Sequence, residues 1–145
     1  MAVTVSVYDH TVSKLLAGTF PTSHTYVINL YSAFTFSAAH TTKAQVEAAA
    51  TQLPTAFGYT QNAYTLTNIT ATQVTTNDAM WDADNVLWTA AGGSISATHA
   101  MVFNDTVTDD PPLFVVNFGE TVTVEDTLAF RINWNANGIF RFNLT

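Results

Sequence analysis

A chain of 145 residues and 15.7 kDa suits one domain, residues 1–145, and a hydrophobic fraction of 48% supplies a core without staples. Only 10% of residues are charged and the net charge is −7, with Lys14, Lys43, Arg131 and Arg141 as the whole basic complement. That balance excludes binding to a phosphate backbone or an anionic membrane surface, and the absence of cysteine excludes disulfides, thiolate metal sites and a Cys nucleophile.

Threonine takes the place of charge, at about one residue in six. It is β-branched, so it favours the pleated sheet over the helix. A neutral, Thr-rich surface suits a chain packed against neighbours, because few charges must be desolvated there. It also suits an ordinary β protein with neutral polar faces. Surface scaling gives an expected folded area of about 7,300 Å² against about 22,800 Å² unfolded. No apolar run approaches the length of a membrane span, and the N-terminus has neither the basic nor the apolar region of a secretory signal.

In chain order, Val3 to Tyr8 alternates and predicts a half-buried strand with Val3, Val5 and Val7 on one face. Asp9 is placed to cap a short helical turn ended by Gly18, and Tyr26–Tyr31 reads as a buried strand. Thr42 and Gln45 have capping-box spacing ahead of an Ala-rich run stopped by Pro54, predicting one short helix inserted between strands. Strands are then predicted over 62–76 (broken by a bend), 84–89, 97–104, 113–118, 121–124, 127–134 and 139–144. Asn77-Asp78, Gly92-Gly93, Asp109 to Pro112, Gly119 and Asn135 to Gly138 separate them. Asn137-Gly138 reads as a hairpin turn. The pattern is all-β: an antiparallel β-sandwich, jelly-roll-like or immunoglobulin-like.

Searching for chemistry returns no catalytic, cofactor-binding or metal set. Asp78, Asp82 and Asp84 cluster, as do Asp105, Asp109 and Asp110, with Asp126 further on. The Asp82–Asn85 stretch opens like a calcium loop but lacks its glycine and closing glutamate. Solvated turn acids are the plainer reading. His10, His24, His40 and His99 share no metal-ligand spacing, and His99 is expected to share a strand face with Ala97, Met101 and Phe103. Gly92-Gly93-Ser94 is no nucleophile elbow, and no phosphate-cradling or dinucleotide loop occurs. Trp81, Trp88 and Trp134, with Phe103, Phe114, Phe118, Phe130, Phe140 and Phe142, form either a sandwich core or a sugar-binding patch. Alternation of Phe140 and Phe142 favours the core.

Four segments follow one another: Asp82-Ala83-Asp84-Asn85-Val86-Leu87-Trp88; Ala97 to Asp105; Pro112-Leu113-Phe114-Val115-Val116-Asn117-Phe118-Gly119; and Phe130 to Phe142, containing Ile132-Asn133-Trp134 and Gly138-Ile139-Phe140. In that order they resemble a family of small virion proteins encoded among the structural genes of tailed bacteriophages. That family shows D-A-D-D-V-x-W, A-V-I-Y-D, L-I-x-x-V-D-F-G and I-x-W-x-x-x-G-I-F. The resemblance is specific over about residues 80–142. It departs at Asn117, where the pattern has Asp, and at the Ala-rich helix of 43–52. It implies a β-sandwich virion component without catalytic residues: a capsid decoration (cement) protein on the head exterior, or alternatively a head- or tail-fibre component or receptor-binding module. The expected partners are the major capsid protein or neighbouring virion proteins and further copies of the chain, with a trimer preferred at a capsid axis. Such a protein is made in the host cytoplasm and ends on the virion. Trp88 and Trp134 are expected in the core, and Gly119 and Gly138 at turns.

Overall fold

The computed structural model describes residues 2–143. Its elements are β1 (Thr4–Val7), α1 (Asp9–Leu16), β2 (Tyr26–Phe34), α2 (Lys43–Ala48), β3 (Ala50–Gln52), β4 (Tyr64–Thr65), β5 (Thr70–Thr75), β6 (Asp78–Asp82), β7 (Val86–Thr89), β8 (Ile95–Asn104), β9 (Pro112–Val124), β10 (Ala129–Ile132) and β11 (Phe140–Asn143). All strand pairs are antiparallel. One sheet runs β1-β9-β8-β2, with β3 and β4 sharing the far edge of β2. Facing it are a two-stranded sheet, β10-β7, and a three-stranded one, β11-β6-β5. The fold is the expected all-β sandwich, and its 7335 Å² of surface agrees with the scaling estimate.

Aromatic side chains fill the space between the sheets. Trp81 on β6 meets Tyr26 and Phe114 edge-on and stacks on Phe140, with ring centroids 5.5–5.8 Å apart. Trp88 on β7 meets Tyr59, Tyr64 and Phe130. Each fully buried Phe or Leu here contributes about 1.5–3 kcal/mol through removal from water. Trp134 is only half-buried. It reaches Phe114 with its edge and donates its indole N–H to the Asp84 carbonyl at 2.9 Å.

The large sheet is also covered on its other face, where Tyr8, Val27, Tyr31, Met101, Phe103 and Val115 pack with Val46 of α2. Burial on both faces explains why Tyr26–Tyr31 is continuously apolar apart from Asn29. Asn29 is satisfied: it donates to the Asn62 side chain at 2.6 Å and accepts from the Asn62 amide at 3.0 Å. Between β3 and β4, where the far edge of β2 has no strand partner, the Tyr59 hydroxyl accepts from the Leu30 amide at 3.1 Å. Burial raises the Tyr59 pKa, so the hydroxyl stays neutral and also accepts from Gln52.

Several local expectations change. The helical turn after β1 is a regular two-turn helix, so the sandwich carries two helices rather than one. Its N-cap is Tyr8, without a side-chain bond, and Asp9 lies inside the first turn, where its charge faces the positive end of the helix. Gly18 does end it: with φ +72° it allows the Gly18 and Thr19 amides to reach back to the Leu15 and Lys14 carbonyls. The capping box of α2 is present, but the helix stops at Ala48, before Pro54, because Ala50–Gln52 pairs with β2 instead. Val3 and Val5 are exposed, since β1 is an edge strand.

Strand β6 was not expected. The turn falls one residue early, at Thr76-Asn77, and Asp78 already pairs with Thr75. The segments 113–118 and 121–124 are one strand, β9, bulged around Gly119 (φ +76°), whose amide donates to the Asn117 side chain at 2.8 Å. An Asp at position 117 would accept the same bond, so this departure from the phage pattern leaves the turn intact. The segment 127–134 shortens to Ala129–Ile132 because the chain turns at Glu125–Leu128, with Thr127 at φ +69°.

Asn137-Gly138 is a turn but not a hairpin. β10 pairs with β7 and β11 with β6, so the turn carries the chain from one small sheet to the other. Glycine is required at 138 for close approach, because a Cβ there would sit 2.7 Å from Met80 Cβ. Leu144, in the expected strand 139–144, lies outside the described residues. Ala97 does not share the face of Met101 and Phe103. A bulge between Ala97 and His99 reverses the alternation, so Ala97 joins the inter-sheet core while Met101 and Phe103 pack on the opposite face.

Candidate interaction surface

The acids and histidines serve separate local contacts. Asp78 accepts from Thr75 and pairs with Arg141 at 2.7 Å, joining β6 to β11. Asp84 accepts from Thr67 at 2.8 Å and Asn68 at 2.6 Å, fastening the bend between β4 and β5. Asp82 is half-buried at the end of β6 rather than in an exposed turn. Asp126 accepts from the Gly92 amide at 2.7 Å. Asp105, Asp109 and Asp110 occupy the turn before β9, where burial, then Asp105, raises the Asp110 pKa. Among the described residues no three His, Asp or Glu side chains converge as a metal-ligand set.

His10 bonds the Pro112 carbonyl and His24 the Asn104 amide group. His99 stacks on Phe34 at 5.3 Å, with Nδ1 2.8 Å from the Thr98 hydroxyl, and burial lowers its pKa. No carboxylate hydrogen-bonds its other nitrogen. His40 sits half-buried in the loop before α2.

A different feature stands out at the surface. No charged residue lies between Glu47 and Asp78, a stretch that forms β3, a tight hairpin, β4 and β5. On an acidic chain this is a neutral flank. The hairpin closes with the Ala56 and Tyr59 amides each bonding the other's carbonyl, at 3.0 and 2.9 Å. Its two central residues are Phe57 (φ +52°) and Gly58 (φ +84°), the geometry of a type I′ turn, which normally takes Asn-Gly. Phenylalanine in this left-handed region costs about 1–2 kcal/mol.

The surroundings enforce that strain. A Cβ on Gly58 would lie 2.0 Å from the Thr89 carbonyl oxygen, and the Ala91 amide donates to the Phe57 carbonyl at 3.1 Å. The ring rests on Gly93, where a Cβ would lie 2.4 Å from it. Phe57 nevertheless remains 49% exposed. Beside it lies a groove of about 230 Å³ lined by Ser32, Leu53, Pro54, Ser94 and Ser96.

A second apolar groove, about 400 Å³, runs between α1 and the three-stranded sheet. Val12, Leu16, Ala79 and Phe142 line it, and Leu16 is 84% exposed. These surfaces offer apolar and hydroxyl contacts. Among the aromatics, composition and alternation single out those of the C-terminal half and not Phe57. The signals that pointed to it were the Phe-Gly step and the uncharged stretch around it.

No family model, curated protein or solved structure matches this chain.

Proposed function

We propose that this chain is a structural protein of a tailed-phage virion, a decoration protein that binds the outside of the assembled head and stabilises it. Two things support the reading: the ordered motifs between Asp82 and Phe142, and the neutral flank that displays Phe57. The second carries it. A bulky residue held in a left-handed conformation and left half in water is a local cost that a partner's pocket offsets. The expected partner is the major capsid protein or a neighbouring virion protein. The role is non-enzymatic, with no nucleic acid or membrane partner, and the protein acts on the capsid exterior after synthesis in the host cytoplasm.

Replacing Phe57 with Asn tests it. Asn-Gly suits the type I′ turn, so the fold should persist and the melting temperature should change by only a few degrees. Binding to emptied or expanded capsids should weaken at least about tenfold, as for a buried aromatic anchor. Unchanged binding by a folded variant would show that Phe57 is not the contact.

The fibre or receptor-binding reading is the alternative, and the serines that line the groove at Phe57 favour it: Ser94 is exposed there, while Ser32 donates to the Thr51 carbonyl and Ser96 bonds the Thr123 hydroxyl. An aromatic face flanked by hydrogen-bonding groups suits a sugar ring. Saccharide binding by the isolated protein, lost in Phe57→Asn, would select this reading over decoration.

A further inference from the structure

We propose that β5 is a self-association edge, pairing antiparallel with β5 of a second copy about a two-fold axis. β5 bonds only β6, and all six of its residues, Thr70–Thr75, are exposed. Open edges in monomeric proteins are normally guarded by charge, proline, a covering segment or a bulge. β5 has no charge or proline, and among the described residues nothing covers it. Its one irregularity, between Gln73 and Thr75, is confined to the turn end and leaves Thr70–Gln73 regular.

Charge selects the occupant. Two copies of a chain with net charge −7 repel, so they meet most easily where neither presents an acid. Around β5, Asp78 is already paired with Arg141, and Asp84 is engaged by Thr67 and Asn68. A basic partner would have no reason to choose this strand. Whichever residue lies on the axis, only Thr, Ala, Gln and Val side chains oppose one another. Threonine pairs across strands are mildly favourable.

Pairing would extend β11-β6-β5 into a continuous six-stranded sheet across the axis. Ala71 and Gln73 share a face with Trp81 and Ala79, as the register dictates, so the partner's β5 would border the apolar groove of Val12, Leu16 and Phe142. A self-complementary edge gives an isologous dimer, in place of the trimer expected from a capsid axis.

Sedimentation velocity on the full chain tests this, with Thr72→Lys as the disrupting variant and Thr72→Val as the control that keeps strand propensity. The wild type and Thr72→Val should sediment at twice the 15.7 kDa chain mass. Thr72→Lys, which brings two ammonium groups together near the axis, should raise the dimer dissociation constant at least about tenfold with unchanged circular dichroism. If that variant fails to fold, Thr70→Lys replaces it. A wild-type monomer or trimer, or a dimer indifferent to both lysines, would overturn the proposal. The inference does not depend on the virion reading. A monomer that still binds capsids would sink the pairing alone, and a dimer that ignores capsids would sink decoration alone.

Discussion

At the residue scale, most polar groups in this protein answer to a neighbour rather than to a ligand, and His99 shows what that means for pH. Burial holds its pKa below the ordinary 6.5, so the folded state prefers the neutral ring stacked on Phe34. A depressed folded pKa gives stability that is present above the unfolded value and lost as pH falls through the folded one. Between pH 7 and 5 the wild type should therefore lose melting temperature faster than His99→Gln, measured by thermal unfolding in matched buffers. Parallel curves for the two proteins would place His99 outside this linkage. Alternation places His99 correctly with Met101 and Phe103 but not Ala97, because between Ala97 and His99 the register shifts, one residue of β8 facing residues 118–121 of β9, and a period-two reading does not detect it. Phe57 was illegible for a related reason. Its left-handed φ is enforced by Thr89, Ala91 and Gly93, all more than 30 residues away in the chain.

At the element scale, local signals were read well where the chain satisfies them locally. The Thr42–Gln45 capping box is one, with Gln45 N donating to the Thr42 hydroxyl at 3.3 Å and the Gln45 side chain accepting from the Thr42 amide. Because α2 covers the outer face of the large sheet through Val46, loss of its cap should be felt globally. Thr42→Ala should lower unfolding free energy by about 1 kcal/mol, read from urea denaturation with an unchanged slope. A loss near zero would mean that the Thr41 amide bond to Gln45 Oε1, at 2.8 Å, suffices.

Elements defined by long-range pairing were less legible. Asn137-Gly138 has the composition of a hairpin, but its flanking strands pair with β6 and β7, which composition cannot specify. β6 itself was hidden because Asp78 and Asp82 at its ends look like turn residues. The Arg141 ion pair and the pairing with Thr70 recruit them to the strand. The Ala-rich run after Ala48 has high helix propensity, yet sheet pairing with β2 overrides it.

At the scale of the whole molecule, the distribution of charge is as informative as the fold. The acids gather at the turn before β9, around β6 and in the loop after β9, while the chain from Ala48 to Asn77 is neutral and exposes a strand edge and an aromatic ring. Such an asymmetry leaves the uncharged stretch as the part of the chain with the least charge to desolvate on contact, which suits the proposed role. Among the described residues no helix is long and apolar enough to cross a membrane. The sandwich and its aromatic core were legible in the sequence. The uncharged stretch 48–77 was visible there as composition, whereas its exposed strand edge and the ring of Phe57 were not.

Cryo-electron microscopy of a tailed-phage particle that carries the gene for this chain is the direct test of the proposed decoration role. Density for the β-sandwich is expected on the exterior of the head, with the hairpin at Phe57 against the capsid protein. Density on the tail tip with none on the shell, or no copy of the chain in the particle, would contradict it.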